Sequence, residues 1–185
     1  PFVNAGAIMT NSMVRPDLEP AERFDFVMKM WKKASGIGTP TFNNSVYLSE
    51  RNTADRNFAL AYFMKENGSF PENTEILETL EFYFRCCSVE QTTESMAAFA
   101  ATLANAGYSP LIEQQVFQPS TVKNCLSLMA SCGMYDFSGE FFFSIGLPAK
   151  SGIGGGLLIV IPNLMGICLW SPPLDSSGNP VRGIE

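Results

Sequence analysis

Apolar residues recur at helical spacing through the first two thirds of the chain. Between Ala21 and Ala34 they stand at Phe24, Val27, Met28 and Trp31, the i, i+3, i+4, i+7 stripe of a helix with one buried face. Pro20 precedes that stretch, and Gly36 and Gly38 end it. Ser49 to Glu66 reads as a second helix, with Phe58, Ala61 and Tyr62 in its stripe and a stop at Asn67-Gly68. Thr74 to Cys86 predicts a third, with Ile76, Leu77, Leu80, Tyr83 and Phe84 on one face. Thr92 to Ala106 predicts an alanine-rich fourth, ended by Gly107. Ser120 to Cys132 predicts a fifth, with Ser120 as N-cap and Gly133 just past its end.

After Gly133 the pattern changes. Phe141-Phe142-Phe143 predicts a strand, and a glycine-rich stretch follows from Gly146 to Gly156. Two apolar runs, Leu157 to Ile161 and Leu164 to Trp170, joined by Pro162-Asn163, predict an antiparallel hairpin. Helices first and antiparallel strands last predict an α+β layering, a helical cluster packed on an antiparallel sheet. No internal repeat and no interdomain linker is visible, so residues 1–185 read as one domain, with Ser171 to Pro180 as a surface loop. The apolar stretch from Gly154 to Trp170 is broken by Pro162 and Asn163 and falls short of the ~18–20 apolar residues a membrane helix needs. No membrane insertion is expected.

Composition narrows the function classes. Of 185 residues, 46% are hydrophobic and 16% charged, which excludes a disordered chain. The formal net charge is −6 and no basic stripe occurs, so no nucleic-acid partner is expected. The five cysteines, Cys86, Cys87, Cys125, Cys132 and Cys168, form no Cys-x-x-Cys, and there is no histidine. That leaves neither the commonest metal ligand nor the commonest general base. Reduced core cysteines of an intracellular protein, no metal and no cofactor are the expectation. The chain opens on Pro1 rather than Met and ends at Glu185 without a closing element, so it reads as a fragment truncated at the N-terminus.

The candidate chemistry sits in Lys150-Ser151-Gly152, within Leu147 to Gly156. This triplet resembles the Lys-Thr-Gly element of penicillin-binding proteins and β-lactamases. There a cation and a small hydroxyl face the acyl pocket, a glycine leaves no side chain between strand and substrate, and a nearby backbone N–H serves as oxyanion donor. The resemblance implies a β-lactamase/transpeptidase-like fold. That class uses a Ser-x-x-Lys nucleophile, because this spacing sets the amine beside the hydroxyl on one helix face. One Ser-x-x-Lys occurs, Ser120-Thr121-Val122-Lys123, and it reads as an ordinary helix start with Lys123 on the polar face.

Longer motifs resemble the glutaminase family, in family order and over nearly the whole chain. They are Val3-Asn4-Ala5-Gly6-Ala7-Ile8, Ser49-Glu50-Arg51 with Asp55-Arg56-Asn57-Phe58-Ala59, and Tyr83 within Phe82-Tyr83-Phe84. Next come Leu103-Ala104-Asn105-Ala106-Gly107 and Cys132 to Gly139 with Tyr135. Last are Gly146 to Gly152 and Trp170-Ser171-Pro172-Pro173-Leu174-Asp175. The Tyr135 motif is most similar to the kidney- and liver-type animal enzymes. The resemblance implies hydrolysis of L-glutamine to L-glutamate and ammonia through an acyl-serine. Asn4, Glu50 and Asn57 would hold the amino-acid end of glutamine: a zwitterion needs a carboxylate for its ammonium and amide donors for its carboxylate. Glu50 and Asn57, seven residues apart, would point from one helix into one pocket. Tyr83 and Tyr135 would flank the reacting amide, with Lys150 beside Tyr135 and the Ile153 N–H as one oxyanion donor.

The same resemblance implies that the nucleophilic Ser-x-x-Lys lies upstream of Asn4, so these residues by themselves are not expected to turn over. It further implies a homo-oligomer, a tetramer, with phosphate as an activator, mitochondrial if the source is an animal and cytoplasmic otherwise. Each residue also has a structural alternative: Asn4 as a turn residue before a strand or helix, Glu50 as a first-turn helix acid, Asn57 as a solvated helix position, Tyr83 and Tyr135 as core aromatics, Lys150 as a surface charge. Two other function classes stand beside the first. One is a penicillin-binding or β-lactamase-like acyl-serine enzyme with another substrate. The other is a non-catalytic relative acting as an oligomer partner.

Overall fold

The computed structural model describes residues 2–185. In chain order its elements are α1 (Asn4–Met13), α2 (Pro20–Ser35), β1 (Thr41–Phe42), α3 (Asn44–Asn52), α4 (Asp55–Glu66), α5 (Ile76–Cys87), β2 (Val89–Glu90) and α6 (Thr93–Ala104). Then come β3 (Tyr108–Ser109), β4 (Gln114–Gln115), α7 (Pro119–Cys132), a 3-10 turn at Tyr135–Phe137, α8 (Ser138–Ile145), β5 (Ala149–Ser151), β6 (Gly156–Ile161), β7 (Met165–Trp170) and α9 (Val181–Ile184). The chain forms two compact units. The first runs up to Met30 and resumes at Pro40–Glu90, and the second comprises Trp31–Thr39 and Gln91–Glu185.

The first unit is helical. Ile8, Ala54, Ala61, Ile76, Leu80, Tyr83 and Phe84 form its core, so α1, the start of α4 and one face of α5 meet there. Sequence patterning did not predict α1, because Asn4–Met13 mixes Gly6, Thr10, Asn11 and Ser12 with its apolar residues. Packing makes it a helix: Ile8 is fully buried, and the buried Arg23 of α2 donates to the carbonyls of Val14, at 2.6 Å, and Asn11 at the end of α1. The Asn11 carbonyl otherwise accepts only the cap N–H of Val14, at 3.3 Å, and a guanidinium there also meets the negative end of the helix dipole.

The single helix expected over Ser49 to Glu66 is two. Asn43 caps α3, its side chain accepting from the Ser45 and Val46 N–H groups. Thr53 ends it, returning both its N–H and its hydroxyl to the Ser49 carbonyl at 3.1 and 2.8 Å. That local bonding lets a threonine leave the helix, and Ala54 goes into the core instead.

The second unit carries a three-stranded antiparallel sheet in the order β5-β6-β7, with Lys150 opposite Leu158 and Leu158 opposite Cys168. The hairpin expectation holds, with the turn at Pro162-Asn163-Leu164. Helix α6 lies on β6 and β7. A Cβ on Gly166 of β7 would stand 2.2 Å from the Ala101 nitrogen and 2.5 Å from the Ala100 Cβ, so the alanine-rich helix seats its backbone against a bare strand position. The α+β layering is therefore as expected.

Several local expectations change. Phe141-Phe142-Phe143 lies in helix α8, not in a strand. A continuous apolar run has no period to read, and the deciding features are Gly146 at φ 72°, closing the helix left-handed, and burial of Phe141 alone on the inner face. Gln118, not Ser120, is the N-cap of α7, because Pro119 occupies its first turn. The stretch from Ser171 to Pro180 is not simply a surface loop: Ser171, Asn179 and Pro180 are buried, and α9 follows as one turn.

We expect Gly166→Ala to lower stability by roughly 2–3 kcal/mol through overpacking. Gly139→Ala, whose Cβ would enter open space on α8, should be neutral or stabilising by up to about 1 kcal/mol. Urea denaturation midpoints check both. Equal midpoints for the two variants would refute the close α6–β7 contact.

Candidate active site

The expected site residues fall into two groups, one in each unit. In the first unit Asn4 opens α1, and its Nδ2 donates to Asn57 Oδ1 at 2.9 Å. Asn57 is buried in the first turn of α4 rather than solvated. Glu50 lies on α3, so the two-turn spacing argument for Glu50 and Asn57 does not apply: the break at Thr53-Ala54 puts them on different helices.

What places Glu50 is the docking of α3 on α5. Tyr47 donates its hydroxyl to Glu81 Oε2, and Arg51 Nε donates to Glu81 Oε1 at 2.6 Å, one residue on either side of the Glu50 turn gripping the same carboxylate. Tyr83, on α5, is buried within the core, and its hydroxyl bonds the Cys87 side chain one turn later. Desolvation pushes that thiol up to about 11; the Tyr83 bond opposes the rise and the Glu50 carboxylate adds to it. Cys87, which sequence reasoning left in the core, is exposed at the end of α5, and the other four cysteines are only partly buried.

In the second unit three expected residues come together. Tyr135 takes φ 54°, a left-handed conformation an aromatic residue rarely adopts and which costs on the order of 1–3 kcal/mol. Lys150 stands on β5 with its Nζ 4.7 Å from the centroid of the Tyr135 ring and donating to the Ser151 carbonyl. Ile153, 72% exposed on the β5–β6 turn, turns its backbone N–H to the Tyr135 phenol.

Burial pushes the Tyr135 phenol above its ordinary value, against the Ile153 N–H, which favours the phenolate. Burial pushes the Lys150 amine below its ordinary value, opposed by Cys132. Both shifts are desolvation favouring the neutral form. The alternative of Lys150 as a surface charge is therefore not what the structure displays.

Backbone contacts set this geometry. Ser151 N–H donates to the Gly133 carbonyl at 3.1 Å, joining β5 to the end of α7 just before Tyr135. A Cβ on Gly133 would lie 1.7 Å from the Ala149 oxygen, so only glycine lets the strand pass. Gly133 was expected just past the helix end and is its C-cap; its φ is −80°, and close approach is what the glycine serves. Trp170 Nε1 donates to the Gly154 carbonyl at 2.9 Å, pinning the turn that presents Ile153.

The Ser-x-x-Lys at Ser120 and Lys123 has no such setting: both side chains are exposed in the first turn of α7. Among the described residues no cluster of three or more His, Cys, Asp or Glu could hold a metal ion, and no helix is long and apolar enough to cross a membrane.

The glutaminase family model matches residues 1–185. The chain belongs to the glutaminase family. A Caenorhabditis elegans protein carrying a glutaminase name is 54% identical over the whole chain. The mouse "Glutaminase liver isoform, mitochondrial" is 49% identical, and a Nostoc glutaminase is 44% identical. The chain spans 31% of the first two of these relatives and 54% of the third. A solved structure called a probable glutaminase from Bacillus subtilis, complexed with 6-diazo-5-oxo-L-norleucine, matches 98% of the chain at TM-score 0.91 and 35% identity, with 60% of its own length covered. A second, Mglu in its glutamate form, matches at TM-score 0.90 and 32% identity. The fold of this glutaminase-family chain is thus the α+β, β-lactamase-like one that its motifs implied.

Sequence reasoning missed Trp170 and Asn179, both of which hold the second group in place. Trp170 lay in a quoted motif but was read as a strand residue. Asn179 was placed in a surface loop, and only the Asp175-Ser176-Ser177-Gly178-Asn179 turn chemistry hinted at more.

We expect 13C NMR of labelled protein to find Tyr135 titrating above, and Lys150 below, their ordinary values of about 10 and 10.4. The phenol then keeps its proton through neutral pH, and any step that needs it fails only as pH rises past that raised value. A Tyr135 phenol that ionises below an exposed tyrosine would contradict the burial argument.

Proposed function

We propose that the protein hydrolyses the side-chain amide of L-glutamine to L-glutamate and ammonia, and that residues 1–185 belong to its catalytic domain. Family membership and the presence of a chemically suited group in each unit support this reading. The observation that carries it is the Tyr135–Lys150–Ile153 cluster: a half-buried phenol, a partly desolvated amine and a backbone N–H, with no histidine in the sequence to do their work.

The reaction needs a serine hydroxyl to attack the amide carbon, collapse of the tetrahedral species with loss of ammonia, and water to cleave the resulting ester. The resemblance assigns the serine to a segment before Asn4. The phenol oxygen of Tyr135 accepts from Ile153 N–H and retains its own proton, which suits it to protonate the departing nitrogen. The same N–H would serve the oxyanion once substrate displaces the phenol from it.

In the first unit, Glu50 is the acceptor proposed for the substrate ammonium, and Asn4 and Asn57 are the amides proposed for its carboxylate. Their mutual hydrogen bond keeps both oriented. Tyr83, whose hydroxyl bonds the Cys87 side chain, is proposed to line the substrate's side.

A full-length preparation should release ammonia from glutamine and leave a chromogenic cephalosporin intact. Tyr135→Phe should lower kcat by about 10²–10⁴ with the melting temperature preserved. Glu50→Gln should raise KM roughly 10–100-fold, the scale of one lost charged hydrogen bond. Cephalosporin turnover without ammonia release would favour the penicillin-binding class, and neither activity would favour the non-catalytic relative.

By the same resemblance we propose a homotetramer stimulated by phosphate; the name of the mouse relative supports a mitochondrial location if the source is an animal. Light scattering and activity with and without phosphate check the first two. A monomer indifferent to phosphate would refute them.

A further inference from the structure

Asn179 is fully buried, which is expensive for an amide unless its bonds are made. Both ends are occupied. Nδ2 donates to the Met134 carbonyl at 3.2 Å, and Oδ1 accepts from the Ser151 hydroxyl. The orientation is forced, because a carbonyl can only accept and must face the amide nitrogen. Met134 immediately precedes Tyr135, and Ser151 immediately follows Lys150. One side chain therefore spans the two segments that carry the phenol and the amine.

Tyr135 needs such support. Its left-handed backbone persists only if its surroundings over-determine it. On one side Ser138 closes the turn: its Oγ accepts from Met134 N–H at 2.9 Å and donates to the Tyr135 carbonyl at 2.6 Å. On the other, the Met134 carbonyl accepts from Asn179 Nδ2 and from the Phe137 N–H, each at 3.2 Å, and Asn179 is the contact that ties it to the Lys150–Ser151 strand. Asn179 is itself set by Asp175, whose Oδ1 accepts from the N–H groups of Ser177 at 2.8 Å and Asn179 at 2.9 Å. The Asp175 N–H returns to the Asn179 carbonyl at 2.8 Å. Between them Gly178, at φ 86°, runs against the Tyr135 ring: a Cβ there would stand 3.8 Å from Cδ2 and Cε2.

We propose that Asn179 is a positioning residue, held by the Asp175 turn, that fixes the Tyr135 backbone and the Lys150–Ser151 strand relative to one another. This rests on the glutamine-hydrolysing reading for its kinetic consequence, not for its structural one. A neighbouring aspartate or serine could not replace it: the first would set an oxygen against the Met134 carbonyl, and the second would not reach both partners.

The test uses full-length protein. Asn179→Ala should lower kcat on glutamine about 10–100-fold, the scale of one to two lost buried hydrogen bonds, with KM changed less than about threefold. In a Tyr135→Phe background the same substitution should change kcat less than about threefold, because its effect runs through the phenol. The 13C signal of Tyr135 should titrate closer to about 10 in Asn179→Ala than in the parent. If Asn179→Ala does not fold, Asp175→Ala, which releases the turn from the surface side, should reproduce the pattern with at least about a threefold loss in kcat. Equal kcat losses with and without the Tyr135 phenol would reduce Asn179 to a general structural residue and overturn the proposal. A Tyr135 titration unmoved by either variant overturns it whatever the substrate, whereas a parent protein inert to glutamine sinks the functional reading and leaves that titration to decide.

Discussion

A backbone contact at Gly133 sets the geometry of the candidate site in the second unit. Helix α7 ends where strand β5 crosses it, near enough that any side chain at residue 133 would occupy the Ala149 carbonyl. The Ser151 N–H to Gly133 carbonyl bond then sets the register of the Lys150 strand against the segment that carries Tyr135. Move either backbone by an ångström and the amine no longer lies over the phenol ring. Precision of this kind comes from main-chain bonds on regular elements, which a flexible lysine could not supply by itself.

The first unit solves the matching problem with side chains. Glu50 sits near the end of a nine-residue helix, too short to be stable alone. Tyr47 and Arg51 fasten that helix to Glu81 from both sides of the Glu50 turn. Two bonds to one carboxylate hold it more firmly than two separate pairs, since the second forms on an already placed partner. Asn4 and Asn57 orient each other in the same way, an exposed helix start tied to a buried one.

Much of this was legible in the sequence wherever burial has a period. Helices α2, α5, α6 and α7 and the β6–β7 hairpin stand close to where apolar spacing predicted them. Failures occurred where the deciding interaction was polar or distant. Helix α1 depends on Arg23, a residue from the next helix. The α3–α4 break depends on Thr53 bonding back to Ser49. The Phe141–Phe143 run carried no period, so its helical state had to come from Gly146. Asn179 is polar in a Ser/Gly/Pro-rich stretch, where composition alone points to solvent. The site residues themselves were reached through long ordered motifs, not through spacing, and the one spacing argument made for them failed on the helix break.

A histidine-free site has to obtain proton transfer from groups that titrate far from neutrality. Moving their pKa values by burial is one way to do so, and the direction matters more than the size. Here desolvation acts on an acid whose charged form is anionic and on a base whose charged form is cationic, so it pushes them in opposite senses. The phenol holds its proton more tightly and the amine less tightly, which makes the first a donor and brings the second nearer to accepting. One environment thus shifts both groups in the senses that their proposed roles need. The frame around the cluster is correspondingly rigid: main-chain bonds at Gly133 and Ser151 hold the amine over the phenol ring.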